Sequence, residues 1–566
     1  MLSNVVEANR RFIYRETIFL GQSIDHTGGG YCTNNRSSPA ALFKIGSAWA
    51  VLLASMLACS QGYVTPVELT ATAAARGVVN PTTAPTMQAA VNTPIPVMDT
   101  PAQPLVPTFT DLPIFTSTPQ ATRTPDPNAT PKPPLQYYTQ AGDTLVSIAG
   151  RFGVSADQIV SSGTLPAAGL INPGVLLIIP DVLEGVYESL TVLPDSEVVY
   201  SPSAVGFEIE DYVAENAGYL SRYKETVGPK QYTGAELVQR VALENSINPY
   251  LLLTLLEYKS HWVTGNPTNM AETEYPMGMV RLEYRGLYKQ LSWAVQQLSI
   301  GYYGWRAGTL NSLTFKDGST VRISPGLNAG TAAIQYLFSR WYNQAEWAAA
   351  IYGSDSMPDL MSRMFGDLWA RARAVDPLYP ADLQQPDFRL PFYSGRVWSY
   401  TGGPHSAWGE DGALAALDFA PPSSESGCAL SNEWVTAMAP GVIVRTGNGI
   451  VIQDLDGDGV EQTGWNIMYL HVETRDRVQV GTIVNAGDKI GHPSCEGGVS
   501  TGTHVHVTRK FNGEWILADG PLPFTMSGYM AINGEKPYEG SLVNSDHTVI
   551  ADPLSSPKSN IQVPGF

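Results

Sequence analysis

Residues 64–135 limit the possible folds of this chain more than any other stretch, because they cannot form a core. Thr, Pro and Ala dominate them, as in Thr122-Arg123-Thr124-Pro125-Asp126-Pro127. Such a composition buries too little apolar surface to offset the entropy of ordering, and it favours an extended or disordered spacer. We therefore predict a linker that separates an N-terminal segment from folded domains beginning near residue 136.

The N-terminal segment, residues 1–63, contains a pattern typical of protein export. Lys44 precedes an apolar run, Ile45 to Ala58, that ends in small residues before Cys59. Met56-Leu57-Ala58-Cys59 resembles a bacterial lipobox with Met where Leu is usual, which implies a lipid anchor at Cys59. The alternatives are a plain signal peptide or a single membrane anchor, for which the run is short because a spanning helix needs ~20 residues. The expectation is an exported protein of the bacterial cell envelope, lipid-anchored at the membrane surface.

Length and charge narrow the possible classes of function. The chain has 566 residues, more than one hydrophobic core usually spans, so several domains are expected. Its formal net charge of −18 argues against nucleic acid as a partner, since general binding to nucleic acid requires a basic face. Its 4 cysteines are too few for a fold built on disulfides.

Residues 136–182 have the pattern of a small domain of two strands and two helices. The segments are a strand and turn from Tyr138 to Leu145, a helix over Ile148 to Val154, a second helix that includes Ile159, and a closing strand over Leu176 to Pro180. This order resembles the lysin motif (LysM), a βααβ fold, and the resemblance implies binding to chains of N-acetylglucosamine. The Asn that usually follows the second helix is replaced by Ser161-Ser162-Gly163, which leaves the affinity for sugar open.

Residues 200–377 are predicted to be mainly helical. Apolar residues at helical spacing mark four segments: Ala235 to Glu244, Tyr250 to Tyr258, Ala329 to Trp341 and Met361 to Ala374. Aromatic residues that could stack on sugars are frequent here, but core packing is the commoner role for them.

The stretch from Ser246 to Leu253 resembles the lytic-transglycosylase branch of lysozyme-like domains. Those enzymes need a carboxylic acid to protonate the glycosidic oxygen, and the family places it directly before a Ser. Here Lys259 precedes Ser260, and Glu257 lies about 200° away around a helix. We interpret this segment as a degenerate lysozyme-like domain with a glycan-binding or spacing role.

The stretch Gly498 to Val507 is the candidate active centre. His504 and His506 alternate with Thr503, Val505 and Val507, as in a strand, where residues two apart share one face. Catalytic zinc takes three protein ligands from His nitrogens and carboxylate oxygens and leaves one position for water.

Three further motifs lie upstream of this stretch. They are Gly402-Gly403-Pro404-His405, Leu417-Asp418-Phe419-Ala420-Pro421 and Met468-Tyr469-Leu470-His471-Val472. His405, Asp418 and His506 fit a zinc site, with His471 and His504 left to handle protons.

Residues 385–540 resemble the lysostaphin/LytM-type zinc endopeptidases, which cut peptide bonds in peptidoglycan. The resemblance rests on four motifs in family order: Ala437 to Val444, Tyr469-Leu470-His471, Val484 to Gly491 and Ser500-Thr501-Gly502-Thr503-His504-Val505-His506. It implies that His405, Asp418 and His506 bind zinc and that His471 and His504 are catalytic.

One departure from the family concerns the spacing of the first two ligands. The family usually has three residues between them, whereas twelve, Ser406 to Leu417, intervene here. Glu410 or Asp411 could replace Asp418 as the carboxylate. We prefer Asp418, because the following Phe-Ala-Pro continues as a strand in the way the family does.

Two smaller features lie in the same segment. Asp454, Asp456 and Asp458 resemble the start of a calcium loop, but the twelfth position is Trp465 rather than Glu, and an Asp- and Gly-rich hairpin turn is an equally good interpretation. Cys428 and Cys495 are predicted to form a disulfide, with free thiols or zinc ligation by Cys495 as alternatives.

The sequence as a whole predicts a multidomain α+β protein: a βααβ lysin motif, a mainly α lysozyme-like middle domain, an antiparallel β-rich peptidase domain, and a tail over residues 541–566. The expected function is hydrolysis of peptidoglycan stem or cross-bridge peptides, with the lysin motif on the glycan. Two alternatives differ in class. One is an inert wall-binding lipoprotein that activates other hydrolases, and the other is a glycosidase acting through the middle domain, which Lys259 argues against.

Overall fold

The computed structural model describes residues 132–380 and 382–563. The export signal, the lipobox with Cys59 and nearly all of the Thr/Pro-rich linker therefore lie outside the described residues. Within the part of the chain that is described, no helix is both long and apolar enough to span a lipid bilayer.

The first domain is built on a three-stranded antiparallel sheet in the order β1-β3-β2. Its elements are β1 (Leu135–Tyr138), α1 (Leu145–Phe152), β2 (Val160–Ser161) and β3 (Leu176–Ile179). Thr144 and Ser147 form a capping box that starts α1, and Gly153, at φ 66°, ends it in the left-handed conformation. Ile148, Phe152 and Leu177 are buried between helix and sheet.

The second helix expected in this domain is reduced to a 3-10 turn. That turn spans Ala156–Gln158, and the predicted helical residue Ile159 follows it rather than lying within it. The chain must turn at once because β2 begins at Val160 and pairs with β3.

The middle segment is mainly helical around one apolar core. Its helices are α2 (Ile209–Asn216), α3 (Tyr219–Arg222), α4 (Gly234–Asn245), α5 (Pro249–Ser260), α6 (Met270–Glu274), α7 (Leu287–Arg306), α8 (Ala329–Trp341), α9 (Gln344–Tyr352), α10 (Met357–Phe365) and α11 (Leu368–Val375). Short strands accompany them: β4 (Val186–Tyr187), β5 (Lys224–Val227), β6 (Lys230–Thr233), β7 (Ser312–Thr314) and β8 (Thr320–Ile323). Helix α5 is buried nearly all round, which explains its almost uninterrupted apolar sequence.

One predicted helix of this segment is split in two. The span Met361 to Ala374 is interrupted after Phe365, where Gly366 has φ 80°. Asp367 then accepts hydrogen bonds from the amides of Trp369 and Ala370, which starts α11. The other three predicted helices match α4, α5 and α8 to within two residues at each end.

The C-terminal part is β-rich. Its strands are β9 (Trp398–Ser406), β10 (Leu414–Ala420), β11 (Val435–Thr436), β12 (Gly441–Gly447), β13 (Ile450–Asp454), β14 (Trp465–Leu470), β15 (Ile483–Val484), β16 (Lys489–Gly491), β17 (Val505–Phe511), β18 (Glu514–Trp515), β19 (Thr525–Met526), β20 (Tyr529–Asn533), β21 (Gly540–Val543), β22 (Thr548–Ile550) and β23 (Asn560–Ile561). The main antiparallel sheet runs β15-β12-β13-β14-β17-β10-β9-β23, with β18 paired to β17.

The predicted boundary at residue 540 falls inside this domain rather than at its end. Strand β21 begins at Gly540 and pairs with β20, and β22 pairs with β21. Further on, β23 adds to the edge of the main sheet beside β9, and Ile561 is buried in its core. The expected tail is therefore largely part of the fold.

All the described residues lie in one compact unit. The middle segment is in close contact with both the first domain and the β-rich domain. A Cβ on Gly150 of α1 would lie 2.6 Å from the carbonyl oxygen of Gly308, at the end of α7. The β17–β18 hairpin of the β-rich domain contacts the middle segment. The amide of Trp515 donates to the Tyr303 hydroxyl at 2.9 Å. The Ser246 hydroxyl donates to the Gly513 carbonyl at 2.7 Å.

Candidate metal centre

Three neighbouring strands bring the predicted ligand residues together. Strand β10 lies between β9 and β17. Asp418 on β10 is directly opposite His506 on β17, and His405 lies on β9 near an irregular stretch of the β9–β10 pairing. The predicted strand begins only at Val505, so His506 lies on it while Thr503 and His504 precede it, with His504 in an isolated bridge to Ser494. The register of β17 with β10 places the carboxylate beside His506.

The facing atoms of these side chains are close and buried. Asp418 Oδ1 lies 3.3 Å from His405 Nε2 and 3.2 Å from His506 Nδ1, and the two ring nitrogens are 3.1 Å apart. Asp418 Oδ1 is buried, and within residues 132–380 and 382–563 it has no hydrogen-bond partner. Buried polar atoms are rarely left unpaired, so a group that would occupy this position is expected. Of the two carboxylates that competed with it in the sequence, Asp411 is bonded elsewhere, to Gln296 at 3.5 Å, and Glu410 is exposed.

The outer nitrogens of the two imidazoles are held by backbone carbonyls. His405 Nδ1 lies 2.7 Å from the Gly403 oxygen, and His506 Nε2 lies 3.2 Å from the Ala407 oxygen. A carbonyl can only accept, so these nitrogens carry the protons. The lone pairs of His405 Nε2 and His506 Nδ1 are then free toward the centre of the site.

His471 and His504 flank the same centre. Their ring centroids are 4.5 Å apart, and His504 Nε2 lies 3.6 Å from Asp418 Oδ1. Each uses Nδ1 toward a backbone carbonyl, that of Glu496 at 3.0 Å for His471 and that of Gly502 at 2.8 Å for His504. His471 follows β14 and has φ 64°, a conformation that costs free energy in a residue with a Cβ.

The charges at the centre shift the titration of its members. Burial alone would raise the pKa of Asp418, but His405 and His504 hold it well below its usual range. The reciprocal effect of Asp418 raises the pKa of His405 in spite of burial. Burial lowers the pKa of His471 to about 3, and the nearby His504 and His506 contribute to this, so His471 is neutral at pH 7.

The predicted disulfide is confirmed. Cys428 and Cys495 are joined, with their Cα atoms 5.7 Å apart, and this excludes zinc ligation by Cys495. The disulfide joins the loop that contains Cys428 to the loop that contains Cys495. The Cys428 loop lies at the rim of the site, because the Gly427 carbonyl accepts from the amide of Thr503, next to His504, at 3.0 Å.

The acidic hairpin between β13 and β14 also satisfies its own backbone. Asp454 accepts from the amide of Gly459 at 2.9 Å, and Asp458 accepts from the amide of Val460 at 2.8 Å and from the Thr463 hydroxyl. One oxygen from each of Asp454, Asp456 and Asp458 lies within 4.8 Å of the others, but their hydrogen bonds are those of an Asp-rich turn, and calcium stays a prediction.

Lys259 occupies a half-buried position in the middle segment, and no carboxylate of the described residues is bonded to it. Its ammonium donates to the Tyr342 hydroxyl at 3.2 Å and lies 4.7 Å from the Trp341 ring centroid. Glu257 accepts from the amides of Val263 and Thr264 and is engaged in closing the loop after α5. The lysozyme-like assignment of this segment stays a prediction.

Sequence reasoning missed one residue at the centre. Tyr538 stacks on His405, with ring centroids 4.1 Å apart and the planes 19° from parallel. Its side chain remains 52% exposed, so it forms a wall of the site that solvent can reach. Its φ of 71° is rare for a tyrosine and marks a strained position, but that signal exists only in the structure.

Comparison with known proteins adds family information to this geometry. Residues 137–180 match the model of the LysM domain, and residues 191–379 match the model described as LasA, N-terminal domain. Protease LasA of Pseudomonas aeruginosa (strain UCBPP-PA14) is 28% identical over 348 residues, which is 58% of this chain and 75% of that protein.

Two further similarities concern smaller parts of the chain. Beta-lytic metalloendopeptidase of Lysobacter enzymogenes is 29% identical over 143 residues, covering 25% of this chain and 76% of that protein. Among solved structures, the M23 metalloprotease pseudoalterin from the deep sea is 25% identical, with a TM-score of 0.25, and the match covers 30% of this chain and 96% of that one.

Proposed function

We propose that the chain is a zinc metalloendopeptidase of the lysostaphin/LytM type that carries a lysin motif, and that His405, Asp418 and His506 hold its catalytic zinc ion. One observation carries this assignment. The two imidazoles and the carboxylate each offer a ligand atom, and these atoms lie within 4.8 Å of one another.

The chemistry of the donor set fits zinc. Two neutral imidazole nitrogens and one carboxylate oxygen are a ligand set known for catalytic zinc, with the fourth position left for water or substrate. The unpaired, buried Oδ1 of Asp418 would gain the partner that it lacks. The carbonyls of Gly403 and Ala407 already fix the tautomers that expose the ligand lone pairs.

When bound, zinc supplies a water of near-neutral pKa and polarises the carbonyl of the scissile bond. The remaining chemistry falls to His471 and His504, which we propose share proton transfer and stabilisation of the oxyanion. In both residues Nδ1 faces a backbone carbonyl, which leaves Nε2 to exchange a proton. A neutral His471 is in the protonation state that accepts one.

The substrate class is the peptide component of the cell wall. We propose that the lysin motif, residues 136–182, holds the glycan strand while residues 385–563 cut a stem or cross-bridge peptide. The middle segment is proposed to bind glycan or to act as a spacer. The protein acts outside the cell or in its envelope, and we propose that a lipid at Cys59 anchors it there. A calcium ion is not part of the proposed function.

Three single variants test the division of roles. His506→Ala removes one of three ligands and is expected to lose zinc and peptidase activity together. His471→Ala and His504→Ala are expected to keep zinc, since neither is assigned as a ligand, while each loses ~10²–10⁴ in rate. The measurements are zinc content by mass spectrometry and digestion of purified peptidoglycan with mass analysis of the products.

The pair His504 and His506 is the sharpest comparison, because both lie on or next to one strand and both approach Asp418. Equal loss of zinc from the two variants would contradict the assignment. Full activity of a zinc-free His506 variant would contradict the zinc mechanism itself. Absence of digestion by zinc-loaded wild type would instead favour an inert wall-binding role, which the complete donor set argues against.

A further inference from the structure

The connection between two of the proposed ligands packs against another domain. Residues 406–413, here called the 406–413 loop, join His405 on β9 to the strand that carries Asp418. Ala407 and Ala413 are buried, and Trp408 packs beside them. Ala407 and Ala413 belong to the apolar cluster that the helical middle segment shares with one face of the main β-sheet, and Trp408 packs against that cluster.

Helix α7 forms the surface on which this loop rests. A Cβ on Gly412 would lie 2.2 Å from Ser299 Oγ and 3.0 Å from Ser299 Cβ, so the backbone of the loop is in contact with the helix. One residue earlier, the Asp411 carboxylate accepts from Gln296 Nε2 at 3.5 Å. A side chain at position 412 would have to push the loop away from α7.

The same loop reaches the metal centre through one carbonyl. The Ala407 oxygen lies 3.2 Å from His506 Nε2. Hydrogen bonds within the loop hold Ala407 in place. Its amide donates to the Ala413 carbonyl at 2.9 Å. The hydroxyl of the preceding Ser406 donates to the Trp408 and Asp411 carbonyls. The position of the loop therefore decides whether His506 keeps its proton on Nε2.

We propose that helix α7 positions His506 through the 406–413 loop, so that the middle segment sets how tightly the β-rich domain holds its metal. This rests on the proposed ligand role of His506. Partners that orient a metal-bound histidine typically contribute 10–100-fold to metal affinity. Here that partner is a backbone carbonyl whose own support comes from a different domain, so the middle segment is a working part of the metal centre.

The test is a substitution at the contact between loop and helix. Gly412→Ala places a methyl group against Ser299 and is expected to weaken zinc binding by about 10–100-fold in a chelator competition. The second readout is the ¹⁵N spectrum of His506 in the metal-free protein. Wild type is expected to show a single Nε2–H tautomer, and the variant a mixture. Because an alanine at φ 123° is strained, the unfolding midpoint of the metal-free variant is also expected to fall.

The chain offers a matched control and a rescue. Gly409 also has a positive φ, 77° against 123° for Gly412, but a Cβ there meets nothing within 4 Å. Gly409→Ala strains the same loop without touching α7, and it is expected to bind zinc as wild type does. Ser299→Gly removes the two side-chain atoms closest to the new methyl group and leaves the Ser299 backbone carbon at an ordinary 3.9 Å. Gly412→Ala/Ser299→Gly keeps the backbone strain at φ 123° without the contact with α7, so it is expected to recover the single tautomer and most of the affinity.

The outcomes separate this inference from the proposed function. If His506→Ala binds zinc as wild type does, the ligand assignment fails and the inference fails with it. If His506→Ala loses zinc but Gly412→Ala binds it normally, only the inference is overturned. Equal weakening by Gly409→Ala, or failure of the double variant to recover, also overturns it, because strain within the loop would then explain the loss.

Discussion

Replacing Arg306 by methionine is expected to destabilise the folded protein by about 3–5 kcal/mol, the usual result of removing one partner from a buried ion pair. Arg306 lies at the end of α7 and is where all three parts of the structure meet. Its guanidinium bonds both oxygens of Glu514 in the β-rich domain, at 2.9 and 3.1 Å, and Asp195 in the middle segment at 2.9 Å. It also donates to the Ala141 carbonyl in the lysin motif domain.

The magnitude follows from what the variant leaves behind. The side chain of Glu514 is 2% exposed, and without Arg306 its charge keeps the hydrogen bond from the Tyr302 hydroxyl, at 2.7 Å, and that from Tyr379, but no cation among the described residues. Asp195 is less affected, because Asn328 Nδ2 and the amide of Gly330 still donate to it. Most of the loss is thus the uncompensated charge of Glu514, so Arg306→Met/Glu514→Leu should be more stable than Arg306→Met alone.

Equilibrium unfolding in urea, followed by tryptophan fluorescence, measures both variants. Arg285→Met is the matched control: Arg285 pairs with Glu274, but its side chain is 57% exposed, and the loss should stay below about 1 kcal/mol. The reasoning fails if Arg306→Met unfolds within about 1 kcal/mol of wild type, or if the double variant is less stable than the single one.

Three further results are expected. Burial raises the pKa of Asp454 to about 7, so the free energy of unfolding should fall as pH rises from about 4 to 7, where only the folded state keeps the proton. Burial also raises the pKa of Asp376, to about 6, so melting curves of Asp454→Asn should show a smaller fall, and an unchanged slope would contradict the assignment. Cys428→Ala/Cys495→Ala, which opens a loop with a sequence separation of 67, should lose about 4 kcal/mol of stability, and reduction of wild type should reproduce the loss. Tyr538→Ala should weaken zinc binding up to about tenfold through loss of the stack on His405, while Tyr538→Phe should not; equal effects would point to the hydroxyl instead.

The sequence was most informative where local pattern and family order agreed. Alternation around His504 and His506 predicts a strand with both imidazoles on one side, and both do face Asp418. The choice between Asp418 and the two earlier carboxylates could not be made from spacing alone. It depends on the register of β10 against β17, which long-range packing determines.

Other features had a readable signal that the periodicity obscured. Gly366 and Asp367 are a typical helix end followed by a helix start, yet the apolar spacing runs across them and favours one long helix.

The contact of the Ala407 carbonyl with His506 leaves no signal in the sequence. Every residue has a backbone carbonyl, and only the geometry of the loop determines which one reaches the imidazole. Tyr538 reaches His405 from a distant part of the chain, so neither spacing nor composition could have placed it there.

The close approach of Gly150 to Gly308 holds the lysin motif domain against the middle segment. Arg306 bonds residues of all three parts at the same place, so the lysin motif domain and the metal centre keep a constant separation. Under the proposed function, the fold would then set the distance between a bound saccharide and the peptide bond to be cut, and cross-links would be selected by that distance as well as by their chemistry.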